Sequence, residues 1–148
     1  TLHAGSYERT LRANARSASM ENAVRERTAA PVQAVALKAF AAIAAAWSLT
    51  LREAAALADM SESTWKRAKK PDFAGELTKD QMLRLSALVG LFKALELYFS
   101  APISRQWVKL PNGGPEFEGQ RPVDAMIEGG LPKILSVRTY VDALRGGV

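Results

Sequence analysis

The stretch 51-LREAAALADMSESTWKRAKK-70 decides the fold. Thr50 precedes it and Glu53 follows three residues later, the spacing at which a hydroxyl and a carboxylate reciprocally satisfy the free N–H groups of a helix start. Ala54, Ala55, Leu57 and Ala58 continue a short first helix. Asp59-Met60 interrupts it, and Ser61 is a good N-cap for a second helix that carries Trp65. Pro71 restricts the backbone of the residue before it, so this second helix should stop at Lys70. Counted from Leu51, a helix-turn-helix needs small or apolar residues at its fourth, fifth, eighth, tenth, fifteenth and eighteenth places. Those places hold Ala54, Ala55, Ala58, Met60, Trp65 and Ala68. The ninth, usually glycine, is Asp59, and aspartate enters the left-handed region more readily than most residues.

Charge points the same way. The net +5 of the 148 residues lies wholly in residues 1–70, and residues 71–148 are balanced. Within residues 61–70, Lys66, Arg67, Lys69 and Lys70 face one acid, Glu62. Basic surface attracts phosphate through Coulomb attraction and counterion release. A solvated helix face is the plainer reading of such a run; its place on the second helix of a helix-turn-helix favours DNA, because that helix enters the major groove. Candidate DNA contacts are Thr50 and Arg52 at the head of the first helix and Ser61, Ser63, Thr64, Lys66, Arg67 and Lys70 on the second. Hydroxyls near the helix start suit base edges, and the cations one turn on suit phosphates. Glu62 is read first as a charge favourable to the helix N-terminus, with acceptance from a cytosine amino group as the alternative.

Working outward, residues 1–30 are rich in Arg, Ala and Ser, superficially like a transit peptide, although Glu8, Glu21 and Glu26 speak against that. They read as a mobile arm or a loose helix. From Pro31, Val32, Val35, Ala36, Ala39, Phe40, Ile43 and Trp47 form one helical stripe, with Pro31 at an allowed first-turn position. Thr78 and Gln81 repeat the capping spacing before the longest helix, Lys79 to Phe99, which is apolar on two faces and therefore central to a core or shared with a partner. Gly90 inside it suggests a close approach. Dimerisation through this helix is expected. Ile103 to Leu110 reads as a short helix, and Pro111 to Pro122 as turns with an extended excursion around Phe117. One helix from Pro122 ends at Gly129-Gly130, and a last one runs from Pro132 to Leu144. The expected architecture is all-α, divided into an arm (1–30), a helix-turn-helix region (31–77) and a dimerisation and binding domain (78–148).

Several chemistries are excluded or disfavoured. No run of apolar residues is long enough to span a membrane. Without cysteine there is no disulfide, thiolate zinc site or cysteine nucleophile. The lone histidine, His3, is poorly placed for a catalytic triad. Glu116 and Glu118 lack a basic or metal-binding neighbour in sequence and read as a solvated loop rather than a catalytic pair. Asn112-Gly113-Gly114 reads as a turn, and Trp107 as a core anchor before an interface residue. No catalytic residue, metal or cofactor is expected, and the protein is not expected to be an enzyme.

From Pro31 to Val148 the chain resembles the Xre/MbcA/ParS antitoxin family, through the helix-turn-helix and then Trp107, Pro111-Asn112, Gly119, Pro122, Met126, Gly129-Gly130, Val137, Leu144 and Gly146. The resemblance implies a cytoplasmic antitoxin of a type II toxin–antitoxin system whose partner is a RES-domain toxin that consumes NAD. It further implies neutralisation by occlusion of the toxin's NAD entrance and repression of the antitoxin's own operon by binding operator DNA, as a homodimer or a larger assembly. Candidate toxin contacts are Arg138, Arg145, Gly146, Gly147 and Val148, since a slim tail of small residues with one cation suits a nucleotide-binding cleft. The rival reading is a freestanding transcriptional regulator whose C-terminal half only dimerises.

Overall fold

A computed structural model describes residues 2–146, with side chains described for all of these except 2–4 and 25–29. Gly147 and Val148, two of the candidate toxin contacts, lie outside the described residues. Two compact units make up the chain, residues 1–34 and 35–148. Among the described residues there are helices and turns and no strand.

Helix α1 covers Leu2–Ala46 and contains Pro31 in its interior. The expectation of a helix beginning at Pro31 is therefore corrected. A proline inside a helix removes one backbone hydrogen bond, but the alanine-rich sequence on both sides has the highest helix propensity available and sustains the helix across it. Residues 5–22 of the first unit expose their side chains to solvent. In the second unit, Phe40, Ile43 and Trp47 of the stripe are buried, Ala36 and Ala39 are half-buried, and Leu37 and Ala44, which the stripe did not include, are buried beside them. Val32 and Val35, expected on the same buried stripe, are exposed.

The short helices α2 (Leu51–Leu57) and α3 (Glu62–Ala68) follow. Thr50 caps α2 in the expected reciprocal box: Glu53 N–H donates to Thr50 Oγ1 at 3.1 Å and Thr50 N–H to Glu53 Oε1 at 2.9 Å. Asp59 takes φ 57° in the turn, the left-handed conformation its place in the motif demands. Ser61 caps α3 by accepting from Thr64 N–H at 3.1 Å. Ala54, Ala55, Leu57 and Ala58 of α2 and Trp65 and Ala68 of α3 are buried, and Trp65 also stacks on Phe40 of α1 with ring centroids 5.1 Å apart.

Helix α4, Lys79–Tyr98, starts with the Thr78/Gln81 capping box. It packs most extensively against α6, Pro122–Arg145. Gly130, at φ 66°, breaks α6 where two separate helices were expected, so Pro132 opens the second half with its fixed φ. The close approach expected at Gly90 is to Arg138 of α6, whose Nε would lie 2.7 Å from a Cβ placed there. Between α4 and α6 lie α5, Ile103–Gln106, a 3-10 turn, Trp107–Lys109, and an irregular segment. The excursion around Phe117 is a turn rather than an extended strand. Phe117 is buried between Trp107 and Tyr140, with centroids 5.5 Å from each, so its ring holds the loop against the core. Trp107 is a core anchor, 8% exposed.

Trp65 joins α3 to α1 and α2, so Trp65→Ala should cost about 3–5 kcal/mol, the usual range for emptying a large aromatic site. Urea denaturation followed by circular dichroism measures it. A loss below about 1 kcal/mol would show that α3 is held by other contacts.

Candidate nucleic-acid interface

The exposed face of α3 carries Glu62, Ser63, Lys66 and Arg67, with Ser61 at its start and Thr64 half-buried, and exposed Lys69 and Lys70 follow in the turn after it. The hydroxyls there form a network. Ser61 Oγ lies 2.9 Å from Thr64 Oγ1 and 3.2 Å from Ser63 Oγ, and Arg67 Nη2 donates to Thr64 Oγ1 at 3.3 Å. Ser61 Oγ thus accepts from the Thr64 N–H in the cap while donating its own proton to Thr64 Oγ1, and Thr64 orients Arg67 from one turn upstream. Lys69 Nζ lies 5.8 Å from the centroid of the Trp65 ring, a cation–π arrangement at the surface. Lys69 was not among the expected contacts. Its signal was available, since a lysine four residues after an aromatic shares its helix face.

Arg52 is exposed on α2, while the Thr50 hydroxyl is occupied by its cap. Buried Trp65 and Ala68 fix the inner side of α3, so the cations are held outward by packing. The geometry offers one solvent-facing helix with Lys66, Arg67 and Lys70 available for phosphates or base edges. The major groove, about 12 Å wide, admits such a helix.

A charged cluster absent from the expected sites is centred on Glu53 of α2. Glu53, its side chain 12% exposed, pairs with Arg121 Nη2 at 3.1 Å and with Lys109 Nζ at 3.3 Å. Arg121 holds Asp124 at 2.7 Å, and Lys109 Nζ also donates to the Ser48 carbonyl at 2.8 Å. Burial pushes the Glu53 carboxyl up, but the Thr50 N–H and the hydrogen bond and charge of Lys109 outweigh it and hold it below the ordinary 4.5. The hydrogen bond from Arg121 likewise lowers Asp124.

In the last turns of α6, Asp142 stands between Arg138, 3.9 Å away, and Arg145, 3.6 Å away. Arg138 thus belongs to the α4–α6 contact, and Arg145 is exposed at the last turn of α6. Gly146 caps that turn through Asp142. The loop acid Glu116, without a basic neighbour in sequence, is met in space by Lys133 Nζ at 3.0 Å. Among the described residues, no cluster of His, Cys, Asp or Glu is arranged to hold a metal ion, and no helix is long and apolar enough to cross a membrane.

A capped, cation-bearing second helix followed by a separate helical region defines a helix-turn-helix DNA-binding protein with an appended domain. The antitoxin Xre-like helix-turn-helix domain matches residues 27–90, and the antitoxin Xre/MbcA/ParS C-terminal toxin-binding domain matches residues 94–147. The chain is 34% identical over 113 residues to "Uncharacterized protein y4oB" of Sinorhizobium fredii, covering 75% of this chain and 84% of that protein. No solved structure matches it. The chain belongs to the Xre/MbcA/ParS antitoxin family, and its two domains assign it DNA and a toxin as partners.

The Glu53 cluster makes stability depend on acid. Its folded pKa is lowered, so its contribution is fully present above the unfolded value near 4.5 and is lost as pH falls through the folded value. Wild-type melting temperature should drop as pH falls from 6 through 4.5 toward 3, and Glu53→Gln should flatten part of that drop. Parallel melting curves for the two proteins across this range would contradict it.

Proposed function

We propose that this antitoxin neutralises an NAD-consuming RES-domain toxin by binding it directly and covering its active site, and that it binds operator DNA to repress its own operon. The DNA half of this reading is supported by the outward face of α3, where Lys66, Arg67 and Lys70 stand over buried Trp65 and Ala68. The toxin half is supported by the match of residues 94–147 to a toxin-binding domain. Exposed Arg145 at the end of α6 leads directly into the small-residue tail, a segment slim enough to enter a nucleotide cleft and bearing a cation for its anionic ligand's place.

The protein acts as a dimer or in a larger toxin–antitoxin assembly. Two helix-turn-helix units placed one DNA turn apart read a two-fold operator. Leu83 and Leu97, both exposed along α4, are suited to a contact between copies. The toxin is the enzyme of the pair, and the antitoxin contributes contact without chemistry of its own.

Two measurements test the halves separately. Arg67→Ala should weaken operator binding by about 1–3 kcal/mol if Arg67 reads a base, measured by mobility shift at fixed salt. Unchanged affinity would remove Arg67 from the interface. Deleting Arg145 to Val148 should restore NAD consumption by the complexed toxin. Continued inhibition with the tail absent would place the occluding contact elsewhere.

A further inference from the structure

The side chains buried in α2 and α3 are Ala54, Ala55, Leu57 and Ala58 on the first and Trp65 and Ala68 on the second, so four of the six are alanine. Apolar burial of this kind is strong but non-directional, so it holds the pair together without setting how the pair is turned against the rest of the domain. Charge-assisted hydrogen bonds do have direction. Glu53 supplies them. Its Oε1 accepts from the Thr50 N–H and faces Lys109, and its Oε2 accepts from Arg121. Lys109 reaches the Ser48 carbonyl in the turn before α2, and Arg121 is the N-cap residue of α6 and grips Asp124. One carboxylate thus ties the first turn of the DNA-facing helix pair to the two ends of the segment between the 3-10 turn and α6.

We infer that Glu53 is a positioning residue for DNA recognition, which with Lys109 and Arg121 sets the bearing of α2 and α3 on the C-terminal helices. Operator affinity then depends on side chains outside α3. This rests on the DNA-binding reading above. It also means that the helix-turn-helix is not an independent module: the toxin-binding domain is part of its frame.

The informative substitution is Glu53→Gln. Glutamine keeps the acceptor that the capping box needs and nearly the same volume, and removes only the charge. Electrostatics alone predicts tighter binding, because a negative charge has been taken away from the neighbourhood of a polyanion. Loss of positioning predicts weaker binding. With a duplex covering the promoter of the protein's own coding sequence, full-length Glu53→Gln should bind about three- to tenfold more weakly, toward the lower end of the coupling between residues sharing one network. Its salt slope should be unchanged, since the phosphate contacts are the same in number. The charge-neutral pair Glu53→Gln/Arg121→Gln should show the same loss, and it carries the test should the single variant lose helix content. Equal or tighter binding by the variants while wild type binds overturns the positioning role alone. A wild-type protein that binds no such duplex overturns the DNA reading, and this role with it.

Discussion

The buried carboxylate of Glu53 is the constraint that ties α2 to the C-terminal helices of the second unit. It finishes the cap of α2 and simultaneously pairs with Lys109 and Arg121, two cations from a distant part of the chain. A buried carboxylate left without partners would be costly, and breaking such a group is more damaging than its net contribution suggests. The interaction therefore acts chiefly on geometry. It selects one orientation of an alanine-rich helix pair that apolar packing alone would leave less defined.

Around that point the aromatic residues divide the remaining work. Phe40 and Trp65 join α1 to α3, Trp47 and Phe92 join α1 to α4, and Trp107, Phe117 and Tyr140 pin the irregular segment to α6. The rings bury large area with little conformational freedom to lose. The cation-bearing helix α3 and the toxin-binding region consequently share one packed core, in which the contact between α4 and α6 is the most extensive.

What the sequence revealed was local. The caps at Thr50, Ser61 and Thr78, the left-handed Asp59 and the break at Gly129-Gly130 are all set by neighbours within four residues, and each is where the residues place it, whereas α3 ends at Ala68, two residues short of the stop expected at Lys70. The exposed basic face of α3 was legible for the same reason. What was missed is long-range or competes with a local rule. Arg121 and Glu53 are 68 residues apart, and Lys133 meets Glu116 only because α6 folds back past the loop. Pro31 was read as a helix start, and the alanines flanking it prevailed. The contact of Arg138 with Gly90 is likewise long-range, joining α6 to α4 across 48 residues.

The central claim is that a DNA-binding unit and a toxin-binding unit are joined in one antitoxin. It is tested most directly by co-expressing the chain with the product of the adjacent gene and measuring the mass of the purified material by size exclusion with light scattering. A single species containing both proteins, without NAD consumption, is the predicted result. Separate elution of the two, with the antitoxin chain alone retaining the operator, would contradict it and leave a freestanding regulator.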